Sequence, residues 1–276
     1  KTNIGAIKNS GIEFSFNSTV LKKDDLSVDL GINFSFDKNE ISDLTQEEFI
    51  NGTKKWKIGK SLYEFFIRES AGVDSQDGYQ MWYKDVLSDD GEPTGERVTT
   101  KEFSEATRYY LDKSSLPKMI GGFNTNVSYK NFDLSALINF SFGSYVYDGV
   151  YANLMSGFET PGRIGHPDLK NRWQKLGDQT NVPLFLNQQN DFNATSSRFL
   201  FKNNYIRVRG LNLGYTFEES WMEKYQIKGL RVYMQGDNLF TFQSHKGIDP
   251  EQALSGSTNY RSHQMKTISL GVNLQL

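Results

Sequence analysis

The chain contains no cysteine and only six prolines in 276 residues. Without cysteine there is no disulfide bond and no thiol chemistry, which suits a protein that crosses an oxidising periplasm. The three histidines, His166, His245 and His263, have no spacing typical of metal ligands. We therefore expect no metal and no cofactor.

Strong charge of either sign is also absent, since the formal net charge is −2. This balance gives no electrostatic reason to expect a nucleic acid as partner. Ser115-x-x-Lys118 matches a nucleophile pattern, but it lies in a predicted loop and no supporting motif accompanies it. No HExxH motif and no nucleophile elbow is present, so we do not expect an enzyme.

Long apolar runs are missing, and the mean hydropathy is −0.57. No stretch reaches the ~18 apolar residues that a membrane helix needs. A membrane β-barrel remains possible, because its strands alternate between two faces and average out in hydropathy windows. Residues 1–20 do not resemble a signal peptide. Such a segment has either been removed, or the chain begins far from the true N-terminus.

What the chain does contain is a strong alternation of apolar and polar residues. The strongest alternating segments are 11–20, 25–37, 132–142, 229–242 and the last ten residues. Weaker strands are predicted at 62–73, 79–87, 119–130 and 205–217. The alternation changes phase near Gly210, which predicts a bulge or a glycine kink. Together these segments predict about nine strands.

Strand and connection lengths favour a membrane barrel over a soluble fold. Several strands exceed the ~5–6 residues of soluble proteins and match the ~9–11 of a membrane strand. Long connections are expected near 42–61, 88–118, 148–204 and 243–266. They alternate with short turns, as extracellular loops and periplasmic turns do in outer-membrane barrels. The C-terminus then lies on the periplasmic side.

Four stretches are similar to the SusC/RagA family of TonB-dependent outer-membrane transporters. They are Asn9-Ser-Gly-Ile-Glu13, the strand segment 205–215, the strand segment 230–241 and Gly247-Ile-Asp-Pro-Glu251. Order and spacing agree with the family over residues 9–276. The final residues also resemble the signal that the barrel-assembly machinery reads, carried by Ser269, Gly271, Leu274 and Leu276. Leu276 departs from the aromatic residue that usually ends the family.

The resemblance implies an all-β fold in which this chain is an antiparallel transmembrane segment of a barrel of roughly 22 strands with an N-terminal plug. It implies import of oligosaccharides or oligopeptides across a bacterial outer membrane of the Bacteroidetes type. The implied partners are a SusD-like surface lipoprotein, TonB acting through the plug, and outer-membrane lipid. Glycan and peptide substrates both remain open.

About nine strands cannot close a barrel, because single-chain bacterial barrels have even numbers of strands. We therefore expect the chain to be the C-terminal part of a longer transporter. The plug and the remaining N-terminal strands would lie outside it. Natural cleavage and division of a longer chain both remain open as its origin.

The connection 148–204 is expected to hold the ligand-binding residues. Its candidates are Trp173, Arg163, Tyr151 and Phe158, because aromatic rings stack on sugars and arginine forks bind carboxylates. The alternative is that these residues pack the connection internally or against a lid protein. Asp249 and Glu251 are expected in a structural turn instead of a calcium site. The segment Arg198–Arg209 is interpreted as a strand rim at the lipid headgroups.

Two other classes of protein remain as alternatives. A passive porin or an adhesin barrel would lack the plug, so upstream sequence distinguishes it from a transporter. A soluble β-sandwich hydrolase or carbohydrate-binding module would need a catalytic carboxylate pair or a compact core. Neither is visible in the sequence.

Overall fold

The computed structural model describes residues 4–156, 162, 164–185, 191, 193–218, 222, 227–258 and 261–275. Long strands dominate: β1 (Gly5–Lys23), β2 (Leu26–Leu44), β10 (Met119–Tyr129), β11 (Phe132–Phe142), β14 (Tyr205–Thr216), β15 (Gly229–Gln243) and β16 (Thr267–Gln275). The short strands are β3 (Glu48–Asn51), β4 (Lys54–Lys57), β5 (Glu64–Arg68), β6 (Ser70–Val73), β7 (Gln80–Leu87), β8 (Pro93–Thr100), β9 (Arg108–Ser114), β12 (Tyr145–Tyr147) and β13 (Leu200–Lys202). The helix α1 (Gly149–Leu154) and three single 3₁₀ turns, Phe103–Glu105, Pro167–Asn171 and Ser197–Phe199, complete these elements. None of the described helices is long and apolar enough to cross a membrane.

The seven long strands form one antiparallel sheet in the order β1-β2-β10-β11-β14-β15-β16. Each strand pairs with its neighbours through an antiparallel ladder. Strands β1 and β16 are the two edges of this sheet, and they do not pair with each other in the described residues.

Cross-strand register sorts the side chains of this sheet into rows of opposite character. One row on the polar face consists of Thr19, Asp29, Asn126, Ser135, Asn212, Gln235 and Ser269. A neighbouring row on the other face consists of Val28, Val127, Leu134, Leu213, Met234 and Leu270. Leu213, Met234 and Leu270 of the apolar row are exposed. One polar face and one exposed apolar face are typical of a barrel wall between lumen and lipid.

Two aromatic bands border the apolar face. Tyr129, Phe132 and Tyr215 are register neighbours at one end of the sheet. Towards the other end, Phe140 and Phe142 follow along β11. At ~3.4 Å per residue and a tilt of about 40°, Phe132 and Phe140 are roughly 20 Å apart along the barrel axis. This spacing is close to the height of ~25 Å of the apolar band between aromatic girdles in outer-membrane barrels.

The connections are sorted between the two ends of the sheet. One end carries the two-residue turns 24–25 and 130–131, together with 217–228. Asp24 and Lys130 have positive φ angles of 45° and 52°, as tight hairpin turns require. The opposite end carries the connections 45–118, 143–204 and 244–266.

Two of the weaker predicted strands do not join the large sheet. Segments 62–73 and 79–87 form β5, β6 and β7, which belong to separate sheets of four and three strands. The large sheet therefore has seven strands in the described chain instead of about nine. The expected connections 42–61 and 88–118 belong to one long connection, 45–118, between β2 and β10. Strands of 4–8 residues are too short to cross a bilayer, and their apolar side chains fill a core of their own.

The bulge predicted near Gly210 is present. The register between β14 and β15 shifts between Val208 and Gly210, and the register with β11 shifts at the same level. Arg209 is therefore the extra residue of β14.

Glycine at position 121 is required by close packing between neighbouring strands. A Cβ atom there would lie 2.6 Å from the Phe140 ring and 2.9 Å from Cβ of Phe34, and it would also meet the carbonyl oxygen of Asn33. We expect Gly121→Ala to destabilise the sheet by ~1–3 kcal/mol, because the backbone of β2 must move. Denaturant unfolding of the purified barrel in detergent measures this.

Gly210→Ala is the matched control, because a Cβ atom at Gly210 meets nothing within 4 Å and the residue has no positive φ. Equal losses for the two variants would contradict the packing argument.

Candidate functional site

The three long connections, 45–118, 143–204 and 244–266, pack together at one end of the sheet; their described residues are called the loop body below. Ser70 N donates to Ser197 Oγ at 2.9 Å and thereby joins the first two connections. Asn203 Nδ2 donates to the Pro250 carbonyl at 2.9 Å and joins the second and third. Ser115 Oγ donates to the Leu254 carbonyl at 2.6 Å and joins the first and third. The connections are thus fixed relative to one another.

The loop body has its own apolar cores. One consists of Ala152, Met155, Leu169, Val182 and Phe199. A second consists of Phe65, Ile67 and Leu200. Helix α1 enters the first core and is capped by Asp148, which accepts a hydrogen bond from Tyr151 N at 2.9 Å. These cores hold the surrounding surface in a fixed conformation, which a binding site requires.

A cleft of about 910 Å³ opens on the surface of the connection 143–204. We call it the Trp173 cleft. Its lining consists of Gly165, His166, Pro167, Leu169, Lys170, Arg172, Trp173, Gln174, Leu184 and Phe185. A cleft of this size and mixed lining is typical of a small-molecule site.

Trp173 is held in place from the first connection. Its indole Nε1 donates to the Ser75 carbonyl at 3.2 Å, and its backbone N donates to the Val182 carbonyl at 2.9 Å. Gly78, at φ +77°, lies against the six-membered ring, where a Cβ atom would come within 2.5 Å of Cδ2. The indole is thus fixed on the protein side and lines the cleft on the other.

Tyr151 lies behind the wall of the Trp173 cleft. Its hydroxyl donates to Asp168 Oδ2 at 2.8 Å, and its ring meets the His166 ring edge-on at 4.8 Å. Burial, together with the hydrogen bond to Asp168, raises the pKa of Tyr151 to about 12. The phenol stays protonated at neutral pH and supports His166, a lining residue. Arg163 and Phe158 lie outside the described residues.

A buried ion-pair cluster ties the third connection to β14. Arg207 Nη2 donates to both carboxylate oxygens of Asp249, at 3.1 and 3.0 Å. Its Nη1 lies 3.0 Å from Glu251 Oε1, and Arg209 Nη2 lies 3.0 Å from Glu251 Oε2. Backbone amides of Glu251 and Gln264 also donate to Asp249, at 2.9 and 3.0 Å. Burial raises the pKa of Asp249, but these amides and Arg207 outweigh it and hold the pKa below its ordinary value.

The rim interpretation of segment 198–209 is wrong for Arg207. This residue is 2% exposed and faces the acidic turn instead of lipid headgroups. The expected structural turn is present, and ion pairs and backbone amides tie its two carboxylates into the fold. The alternation of apolar and polar residues alone could not reveal this ion-pair cluster. The sequence does contain arginines in segment 205–215 and two carboxylates in the Asp249–Glu251 turn, and these opposite charges could have suggested it.

Lys54 is a buried lysine inside the loop body. Its Nζ donates to the Tyr63 carbonyl at 2.6 Å and to Ser115 Oγ at 3.2 Å, and it lies 3.1 Å from the centroid of the Phe65 ring. Burial lowers the pKa of Lys54 to about 7, against a smaller opposing effect of Glu64. No sequence pattern pointed to this group, because Lys54 and Ser115 are 61 positions apart.

The predicted assembly-signal residues Ser269, Gly271 and Leu274 lie on the edge strand β16. Gly271 pairs with Tyr233, whose ring occupies the space that a Cβ atom would need. Leu276 lies outside the described residues.

Comparison with known proteins gives no matching family model. The chain is 28% identical to TonB-dependent receptor P3 of Formosa agariphila, over 99% of the chain and 29% of that protein. It is 26% identical to TonB-dependent receptor SusC of Bacteroides thetaiotaomicron, over 99% of the chain and 27% of that protein. It superposes on the structure of the RagAB peptide transporter with a TM-score of 0.82 and 27% identity, covering 99% of the chain and 30% of that structure.

The chain thus spans about three tenths of the length of the curated relatives it matches. The predicted resemblance to SusC/RagA-like TonB-dependent transporters is confirmed. The predicted fold class, an antiparallel transmembrane β-barrel segment, is also confirmed. The names of these relatives denote receptors and a transporter, and none denotes an enzyme.

Proposed function

We propose that this SusC/RagA-like chain is the C-terminal part of the barrel of a TonB-dependent outer-membrane nutrient importer. The observation that supports this proposal most directly is the seven-stranded sheet with one polar and one apolar face. The chain also matches a TonB-dependent receptor along 99% of its length. The imported nutrient is an oligosaccharide or an oligopeptide. Import needs no covalent chemistry, because TonB supplies the energy through the plug.

The proposed location is the bacterial outer membrane, of the Bacteroidetes type, with the C-terminus in the periplasm. Sorting of the connections supports this orientation, since outer-membrane barrels have short periplasmic turns and longer extracellular loops. The loop body would then face the outside, where nutrients arrive.

The proposed partners follow from the sheet and from the relatives. The edges β1 and β16 present backbone groups that need partners in hydrocarbon, which the remaining N-terminal strands of the same transporter would supply. The plug of that transporter would occupy the lumen. A SusD-like surface lipoprotein would cover the loop body, and outer-membrane lipid would contact the apolar face.

For ligand binding we propose Trp173 as the main contact, with Tyr151 supporting the cleft and with Arg163 and Phe158 completing the set. For barrel assembly we propose Ser269, Gly271, Leu274 and Leu276. The exposed apolar side chains of β16, such as Leu270 and Leu274, support this role, because they present a lipid-facing strand end.

The test is purification of the full-length transporter from its own membrane. We expect that it is extracted only with detergent and co-purifies with a lipoprotein of the SusD type. We also expect uptake to stop when the TonB-contacting segment of the plug is deleted. Uptake that continues without TonB would indicate a passive porin, and recovery as a soluble monomer would overturn the proposal.

A further inference from the structure

The lining of the Trp173 cleft contains basic side chains. His166, Lys170 and Arg172 contribute to it, whereas its described lining includes neither aspartate nor glutamate. Two carboxylates lie at the edge of this lining. Asp168 accepts from the Tyr151 hydroxyl at 2.8 Å and lies 3.3 Å from Nδ1 of His166, and Asp178 accepts from the Gln174 backbone amide at 3.0 Å. The positive charge next to the aromatic side chains of the cleft is therefore that of Lys170 and Arg172.

The two long cations of the cleft have no carboxylate partner among the described residues. Arg207, Arg209 and Arg231, in contrast, each form an ion pair of 3.0 Å or less. Lys170 and Arg172 are exposed, and Arg172 has one long hydrogen bond of 3.4 Å, from Nη1 to the Leu169 carbonyl. A guanidinium with free donors beside an ammonium is suited to bind a carboxylate, because each hydrogen bond is then charge-assisted.

The rest of the cleft suits a flat, weakly polar surface. Trp173 and Phe185 supply aromatic rings, and Leu184 and Pro167 supply aliphatic contacts. Aromatic side chains bind the apolar faces of sugar rings and of other side chains. Trp173 cannot turn away from a ligand, because Ser75 and Gly78 hold its opposite side.

We infer that the Trp173 cleft binds a carboxylate-bearing ligand, with the carboxylate on Arg172 and Lys170 and an adjoining flat apolar segment on Trp173. This inference rests on the proposed function and gives the imported oligomer a chemical class. A uronic-acid oligosaccharide and an acidic oligopeptide both carry this combination, and the two arms of the test distinguish them.

Binding is measured by calorimetry on the full-length transporter in detergent, together with whatever lipoprotein co-purifies. The probes are trigalacturonate against maltotriose, and a Glu-Trp-containing tetrapeptide against its Gln-Trp counterpart. We expect the carboxylated member of one pair to bind at least about tenfold more tightly than its neutral counterpart. The pair that shows the difference identifies the source of the ligand.

Variants assign the effect to this cleft. Lys170→Gln with Arg172→Gln should remove the preference for the carboxylated probe, and Lys175→Gln, in the same connection but outside the lining, should preserve it. Gly78→Ala should weaken binding by displacing Trp173. Gly91→Ala is its control, because Gly91 has a similar φ of +83° with nothing within 4 Å of its Cβ position.

Equal binding of charged and neutral probes, or no binding of either, would overturn the inference. So would a preference that survives the double variant. Neither result touches the proposed function, because TonB-dependent uptake and lipoprotein co-purification are measured separately. Loss of those two properties in the wild-type transporter would overturn the proposed function instead.

Discussion

Arg207→Met is expected to lower the local stability of the connection 244–266 by ~3–5 kcal/mol, since removing one partner of a buried ion pair leaves an uncompensated charge. Asp249 and Glu251 would lose the guanidinium that now lies within 3.1 Å of both, and Asp249 is only 6% exposed. The connection should open locally while the seven-stranded sheet persists. Hydrogen exchange of the Glu251 and Gln264 amides, which now donate to Asp249, measures the change.

The matched control is the same substitution at Arg231. Arg231 also forms a bidentate pair, with Asp133 at 3.0 and 2.6 Å, but its side chain is 28% exposed and that of Asp133 is 39% exposed. Water screens such a pair, so Arg231→Met should cost at most ~1 kcal/mol. Combining Arg207→Met with Asp249→Asn should recover part of the loss. Equal effects at positions 207 and 231 would show that burial of the cluster has no energetic consequence.

Lys54→Met is expected to change the pH dependence of the loop body. The pKa of Lys54 is lowered to about 7 in the folded chain and stays near 10.5 in the unfolded chain. Between these values the unfolded chain binds more protons, so the contribution of Lys54 to stability rises with pH. From pH 6 to pH 9 the wild type should gain ~2–3 kcal/mol relative to Lys54→Met.

Hydrogen exchange around Ser115 and Phe65 at the two pH values, corrected for intrinsic rates, provides the measurement. Lys57→Met, at a side chain that is 55% exposed, controls for the loss of one positive charge. A difference between wild type and Lys54→Met that does not vary with pH would contradict the burial of an ionisable amine. The hydrogen bonds to Tyr63 and Ser115 that the variant loses also change its stability at every pH. The test therefore depends on how the stability difference between wild type and Lys54→Met changes with pH.

The long strands could be predicted from the sequence because few structures besides a half-buried strand produce alternation over more than ten residues. The phase change at Gly210 was equally readable, since a bulge adds one residue to one strand. Segments 62–73 and 79–87 misled the prediction, because alternation in short strands does not say which sheet they join. Phe65 and Trp82, at 0% and 1% exposure, are buried in the loop body and do not face lipid.

The candidate site could be predicted only in part. Trp173 was recognisable as an aromatic residue in a long connection, but its support by Ser75 and Gly78 depends on chain folding over about a hundred positions. The roles of Arg207 and Lys54 depend on contacts at separations of 42 and 61 residues. No local pattern encodes such pairs, since they arise only when the three connections meet.

The polar row that crosses all seven strands has a consequence for passage through the barrel. Apart from Asp29, its members are hydroxyl and amide side chains such as Asn126, Ser135 and Gln235. Such groups exchange hydrogen bonds with water or with a solute at little net free energy. If the proposed import takes place along this wall, a solute that contacts the row would make many weak and similar hydrogen bonds. The charged side chains beside the row, Arg231 and Asp133, are paired with each other and leave the row itself uncharged around Asn212. The row would then favour release of the solute over its retention.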